Sequence, residues 1–326
     1  MKTTFPIDAV IAWVDGDDPL HRAKRMAYMH GGAEARFEDV AGEVRYVQAG
    51  EIFFCVASIL RFAPFIRRIF IVTDNQNPRL DDFVAKNFPD STVEIRIVDH
   101  KVLFRGYEQH LPTFNSLSIA SMLWRIPGLA QNYVYFNDDV MLVAPVQPED
   151  FFTPEGWPVV YARKKCSWVY KLRKRWREFR KGRREIGFRD VMVNAADLIG
   201  KKYFISTGHM PMTVSRCNFE EFFAEHPEAL EHNISFRFRD GSQFNSHVLT
   251  YMYAEQKGRL ALRRPVGNSL YLGPDKMSER EIARKLTAAE RTDKYLFACI
   301  NSLDNSSKKK KDMIFGWLEQ RLAVKL

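Results

Sequence analysis

The segment Tyr133-Val-Tyr-Phe-Asn-Asp-Asp-Val-Met-Leu142 decides the fold. Its first four residues are apolar or aromatic. That is the pattern of a strand buried on both faces, as in a parallel sheet covered by helices. The run then meets Asn137, Asp138 and Asp139. Two adjacent carboxylates cannot be buried unpaired in such a strand, because an isolated charge in a low-dielectric interior is too costly. They belong at the carboxyl end of the strand, facing the crevice in which open α/β sheets bind ligands. Two carboxylates side by side suit a hard divalent cation, Mg²⁺ or Mn²⁺, which takes oxygen ligands and shares them with phosphate. A plain polar turn between two strands also draws on Asn and Asp.

The flanking sequence repeats the theme. Ile7-Asp-Ala-Val-Ile-Ala-Trp-Val-Asp-Gly16 reads as a first strand that turns at Asp15 to Pro19, with Asp8 near its start. Ile69 to Gln76 reads as a second strand with Asp74 and Asn75 at its exit, and Val93 to Asp99 as a third, followed by His100. Apolar residues at helical spacing mark Glu51 to Phe62, which ends before Pro64, and Ser116 to Arg125. Residues 20–45 are polar and mixed, helix and loop. Strand and helix alternate over residues 1–152, which predicts an α/β fold built on a doubly wound, mostly parallel sheet. Three strands end in Asp or Asn, so their exits would meet at one edge as a nucleotide-type pocket.

Beyond Phe152 the composition shifts. Arg163 to Arg189 is dense in Lys and Arg and contains only two acids before Asp190, Glu178 and Glu185. Trp168, Leu172, Trp176 and Phe179 recur at helical spacing within it. Three readings stand: a surface helix that packs its aromatic stripe on the core, a basic amphipathic helix at an anionic membrane, or a single-stranded nucleic-acid surface. Nucleic acid is not expected as a partner, because the cluster comes with no recognised nucleic-acid fold or repeat. Further on, Phe236-Arg-Phe-Arg-Asp240 alternates so that Arg237 and Arg239 would share a face, as phosphate sites require. Helices are expected from Cys217 to His226, Phe244 to Lys257 and Ile314 to Val324, and a last strand over Tyr295 to Ile300. The run Lys308 to Lys311 reads as a solvated, flexible turn.

The chain has 326 residues, 46% of them apolar, and a net charge of +9. The length suits one large α/β domain or two small ones, and the basic balance favours anionic ligands. No apolar run approaches the ~20 residues of a membrane-spanning helix, and Met1 to Pro6 leads into a strand rather than a signal peptide. Cys55, Cys166, Cys217 and Cys299 show no CxxC spacing, which fits a reducing cytoplasm. The Walker loop, the dinucleotide-binding glycine motif, the G-x-S-x-G elbow and H-E-x-x-H are all absent, so the chemistry rests on carboxylates, a histidine and arginines.

Four blocks together resemble the Stealth family of sugar-phosphate transferases. They are Ile7 to Gly16; Glu51 to Ser58 continued by Ala63 to Gln76, Ile97 to His100, His110 to Ser116, Ile126 to Leu129 and Tyr135 to Asp139; His209-Met-Pro211 with Phe236 to Asp240; and Phe297 to Asn301. Leu111-Pro-Thr-Phe-Asn-Ser116 and Phe136-Asn-Asp-Asp139 are the most specific of these. The family pattern is broken at Ala57, where arginine is usual, and at Ser302, where aspartate is usual. The resemblance implies one Stealth-type catalytic domain over 1–326. Residues 1–152 would form a nucleotide-sugar-binding half, 153–200 a basic aromatic insertion, and 201–326 the half that completes the site. It also implies a fold like the α/β (GT-A-like) nucleotide-sugar glycosyltransferases.

By the same resemblance, the enzyme moves a sugar 1-phosphate from a nucleotide sugar, such as a UDP-N-acetylhexosamine, to a hydroxyl of a capsular or exopolysaccharide acceptor. Asp138 and Asp139 would hold the metal, and His209 would be the general base. Arg239, with Arg237 as the alternative, would stabilise phosphate oxygens. Asp8 would bind the sugar or orient His209, and Trp13, Asn75 and Asn137 would contact substrate. The alternative is a metal-dependent glycosyltransferase, distinguished by release of UDP rather than UMP. The expected location is the cytoplasm, with peripheral contact to the inner membrane through Arg163 to Arg189.

Overall fold

A computed structural model describes residues 5–29, 50–182, 187–265, 267–292 and 294–326. Its strands are β1 (Ile7–Ala12), β2 (Ile66–Thr73), β3 (Glu94–Asp99), β4 (Asn132–Asn137), β5 (Val140–Leu142) and β6 (Val159–Cys166). They are followed by β7 (Tyr203–Thr207), β8 (Met212–Ser215), β9 (Ala261–Arg263), β10 (Ser269–Leu272) and β11 (Phe297–Ile300). The main sheet runs β3-β2-β1-β4-β8. Its first four strands are parallel and β8 is antiparallel to β4. Parallel pairing brings the exits of β1 to β4 to one edge, as the sequence predicts.

Alternation along the central strands explains burial on both faces. Ile7, Ala9, Ile11, Ile69, Ile71, Val134 and Phe136 pack with helix Glu51–Phe62 on one side. Val10, Phe70, Val72, Tyr133 and Tyr135 pack on the other with helices Phe188–Leu198, Arg216–Glu225 and Ser246–Gln256. Successive side chains of a strand point to opposite faces, so helices must cover both.

The ten-residue run that opens at Tyr133 is not one strand. At Asp138 and Asp139 the chain leaves the main sheet, and β5 pairs antiparallel with β11 in a second sheet ordered β10-β11-β5. A third sheet, β7-β6-β9, carries the segment after Phe152. The two halves of the chain interlock, since β8 completes the first sheet and β5 enters the second.

Several expectations need correction. Ser116 to Arg125 is not one helix but Ser116–Ala120 followed by a 3₁₀ turn, Leu123–Arg125. Ser121 breaks it: its hydroxyl bonds Leu117 O at 2.9 Å and accepts from Asn233 Nδ2 at 2.7 Å, while its carbonyl accepts from Trp124 Nε1 at 2.9 Å. Lys308 to Lys311 is the first turn of helix Lys308–Leu322, capped by Ser307, with Lys309 paired to Glu279 at 2.5 Å. Phe236 to Asp240 is irregular rather than extended, because Phe238 turns inward and stacks on Phe114 with ring centroids 5.4 Å apart. The basic segment forms β6 and helix Ser167–Lys181, and its aromatic stripe does not pack on the core, as the exposures below show. Residues 30–49 of the mixed region, with Arg183, Arg184 and Glu185, lie outside the described residues.

Candidate active site

Asp138 and Asp139 occupy the turn between β4 and β5, at the exit edge of the parallel strands. Main-chain pairing fixes the turn, since Ile300 N donates to Asp139 O at 2.9 Å. The Asp139 side chain is half-buried. Its Oδ2 accepts from Cys299 Sγ at 3.6 Å, and its buried Oδ1 has no partner among the described residues. Burial pushes its pKa up to about 6; the Cys299 thiol opposes the shift and the nearby Glu51 carboxylate adds to it. A carboxylate this reluctant to ionise, with an open oxygen, suits a cation as neighbour. No group of three or more His, Cys, Asp or Glu among the described residues could enclose a metal. Two carboxylates with water and phosphate completing the shell is the arrangement Mg²⁺ commonly accepts, so the residues fit the ion.

Other groups gather round this turn. Tyr135, near the end of β4, donates to Asn137 Oδ1 at 2.6 Å and stacks on His247 with centroids 5.0 Å apart. Burial pushes the Tyr135 phenol beyond its usual range; Asp138 and Asp139 reinforce that shift and Arg239 opposes it. Tyr135 therefore lies within electrostatic reach of both carboxylates and of Arg239. The guanidinium of Arg239 donates from Nη2 to Ser116 Oγ at 2.5 Å. Its segment is held by Asn115, whose Nδ2 reaches Phe236 O at 3.1 Å, Phe238 O at 2.9 Å and Gln243 Oε1 at 2.8 Å. Phe114 N adds a bond to Arg237 O at 2.8 Å. The Leu-Pro-Thr-Phe-Asn-Ser motif thus works as a bracket for the arginine-bearing loop.

His209 sits in the loop between β7 and β8, its ring flanked by Phe188 and Tyr271 at centroid distances of 5.6 and 5.4 Å. Desolvation by these neighbours lowers its pKa below 6.5, although part of the ring remains exposed. Tyr271 in turn lies within electrostatic reach of Asp139 and Cys299. Tyr271 is thus a ring neighbour of His209 that also feels the Asp139 carboxylate.

The other candidates stand in different settings. Asp8 is fully buried at the opening end of β1, with Oδ1 accepting from Arg67 Nε at 2.9 Å and Oδ2 from Arg67 Nη2 and Ala130 N at 2.7 Å each. Four residues separate it from the strand exit at Ala12, roughly 13 Å at ~3.3 Å per residue. Both of its oxygens are taken up by these bonds, at the end of β1 away from the Asp138–Asp139 turn. Trp13 is buried in the core beside helix Glu51–Phe62, with no hydrogen-bond partner for Nε1 among the described residues. Arg237 lies over the Tyr28 ring at 4.8 Å. Asn75 is exposed after β2 in a left-handed conformation, φ 55°. Beside it, Lys24 Nζ grips both oxygens of Asp74 at 2.8 Å, and buried His21 and His100 lie within reach of the same carboxylate.

Sequence reasoning missed Glu51, Asn115, Tyr135, Tyr271 and Cys299 as parts of this neighbourhood. Asn115 and Glu51 stood inside quoted motifs. Cys299 stood inside the Phe297 to Asn301 block, and Tyr271 carried no signal, because the second sheet that brings the two together is assembled from residues far apart in sequence.

Residues 5–33 match the family model for Stealth protein CR1, conserved region 1, and residues 45–160 that for Stealth protein CR2, conserved region 2. The chain belongs to the Stealth family. An exopolysaccharide phosphotransferase of Streptomyces coelicolor is 34% identical over 259 residues, covering 76% of this chain and 43% of its own length. The capsular polysaccharide phosphotransferase fcs1 of Haemophilus influenzae is 30% identical over 256 residues, covering 78% of this chain and 66% of its own. This Stealth chain therefore spans less than half of the first relative and about two thirds of the second. Among solved structures, the apo WbbM bifunctional glycosyltransferase aligns with 98% of this chain and 50% of its own, at 10% identity and a TM-score of 0.44. The CR1 and CR2 matches take in Asp138, Asp139 and the Asn115 bracket; His209 and Arg239 lie beyond them.

Proposed function

We propose that this chain transfers a sugar 1-phosphate from a nucleotide sugar, a UDP-hexose derivative such as a UDP-N-acetylhexosamine, to a hydroxyl of a growing capsular or exopolysaccharide. The product is a phosphodiester. The observation that carries the reading is Asp139: a half-buried carboxylate whose buried Oδ1 is left open, at the ligand edge of a parallel sheet, within a Stealth CR2 segment.

Asp138 and Asp139 would hold Mg²⁺ or Mn²⁺, which supplies the positive charge that a diphosphate needs as its bridging bond breaks. The protein's own groups do the rest. Arg239, kept beside Ser116 and Tyr135, meets a non-bridging oxygen of the transferring phosphate. His209 is neutral at pH 7 because its pKa lies below 6.5, so it can accept a proton there. The acceptor oxygen forms a bond to the phosphorus next to the sugar, its proton goes to His209, and UMP departs with the electron pair of the broken P–O bond.

We place the reaction in the cytoplasm, since all four cysteines are free and a nucleotide-activated donor is made there. No helix among the described residues is long and apolar enough to cross a membrane. The test is to incubate the purified protein with a panel of nucleotide sugars, Mg²⁺ and an acceptor oligosaccharide, then identify the released nucleotide. UMP with a phosphodiester product supports the proposal. UDP with a glycosidic product replaces it by ordinary glycosyl transfer.

A further inference from the structure

Four large apolar side chains stand exposed on helix Ser167–Lys181: Trp168 at 64%, Leu172 at 60%, Trp176 at 61% and Phe179 at 85%. At ~100° per residue they fall within about 80° of arc, a single stripe. The opposite side of the helix holds it to the body. Tyr170 bonds Asp190 at 3.1 Å and meets the Phe204 ring, and Lys174 pairs with Asp190 at 2.8 Å. The stripe therefore points away from the protein by construction.

The helix carries Lys171, Arg173, Lys174, Arg175, Arg177, Arg180 and Lys181 against one acid, Glu178. Arg173 and Arg180 border the stripe on one side and Lys171 and Arg175 on the other, at the spacing that α-helical geometry dictates. All four are exposed, and Arg180 also lies over the Trp176 ring at 4.9 Å.

We infer that this helix docks the protein on an anionic lipid surface, lying flat with Trp168, Leu172, Trp176 and Phe179 among the acyl chains and the flanking arginines on lipid phosphates. Apolar residues on one face, arginines at the rim and tryptophan at the boundary are what an interfacial helix requires. Charge argues against a second copy as the occupant, since two such faces would bring four flanking basic residues against four. A soluble anionic polymer would engage the arginines but leaves Leu172 and Phe179 without a partner. The inference does not depend on the reaction proposed above.

The test is flotation of the full chain with large unilamellar vesicles, either phosphatidylglycerol with phosphatidylethanolamine or phosphatidylcholine alone. Tryptophan emission and its quenching by brominated lipids report insertion. The protein is expected to float with anionic vesicles, to remain behind with neutral ones, and to show a blue shift on binding. Leu172→Ser with Phe179→Ser, and separately Arg173→Glu with Arg175→Glu, should each raise the lipid concentration for half-binding at least tenfold. Far-UV circular dichroism and turnover on soluble substrates should not change. Failure of the parent protein to float overturns the inference, as does flotation unaffected by both variant pairs. A size-exclusion shift caused by the apolar pair without lipid would assign the face to self-association. Equal binding to dextran sulfate by the parent and the apolar variant would assign it to anionic polymer. Either result overturns the lipid assignment.

Discussion

The thiol of Cys299 on β11 stands 3.6 Å from Oδ2 of Asp139, across the junction where the chain passes from the first sheet to the second. One oxygen of Asp139 is thereby oriented, and the other is left open in a buried setting. Asp139→Asn keeps the shape and removes the charge. It is expected to lower kcat by roughly 10²–10³, the usual effect of deleting one preorganised electrostatic group. Steady-state kinetics with a thermal melt as control checks this. Turnover within twofold of the parent would remove Asp139 from the chemistry.

His209 is predicted to act in its neutral form. Desolvation lowers its pKa below 6.5, so activity should climb as pH rises through that lowered value and be level above it. His209→Ala should slow turnover by roughly 10²–10⁴ and erase the acidic limb. A pH–rate profile measured in both proteins is decisive: an unaltered limb in the variant would assign it to another group.

Asn115 positions Arg239 without touching substrate. Asn115→Ala strips donors from the carbonyls of Phe236 and Phe238 and from Gln243 Oε1, a loss of about 1–3 kcal/mol for buried acceptors. The variant should melt earlier and lose kcat/KM, while the pH dependence of its rate is unchanged. A wild-type kcat/KM in the folded variant would show that the loop holds Arg239 without the bracket.

Asp8 is expected to matter for stability and not for chemistry. Asp8→Asn breaks the bidentate pair with Arg67, whose side chain is 39% exposed, so the loss is about 1–3 kcal/mol and not that of a fully buried pair. Urea unfolding should show the drop, with kcat of the folded protein retained. Unchanged stability together with lost turnover would return Asp8 to the site.

His247 and His100 are buried neutral. Burial lowers their pKa values to about 3 and about 4, below the ordinary 6.5. The unfolded chain therefore binds more protons than the folded one as pH falls from 6.5 toward those values, and stability is lost over that window. The slope is about 1.4 kcal/mol per pH unit for each histidine. His247→Phe keeps the ring stack on Tyr135 and should make the pH dependence of the urea midpoint shallower between pH 4 and 6.5. A slope equal to the parent's would show that His247 is already solvated or protonated in the native state.

Strands β1 to β4, helix Glu51–Phe62 and the placement of Asp138 and Asp139 at a strand exit were all legible in the chain. Each follows from a local rule: apolar alternation, helical spacing, or the cost of burying adjacent charges. The arginine loop was legible only as a motif, because the residues that hold Arg239 in place, Asn115 and Ser116, are separated from it by more than a hundred positions.

By itself, then, the sequence determined an α/β chain with a mostly parallel sheet and carboxylates at its ligand edge, since periodicity and desolvation act between near neighbours. Tertiary structure alone decided which carboxylates face the crevice. Asp8, fully buried in β1, is closed off by Arg67, 59 positions away, whereas Asp139, half-buried in the turn after β4, is met by Cys299, 160 positions away. It also decided that the aromatic stripe of helix Ser167–Lys181 faces outward, because Tyr170 and Lys174 anchor the other side to Asp190. Such pairings depend on how distant segments pack, and a side chain's own neighbours in the chain carry no record of them.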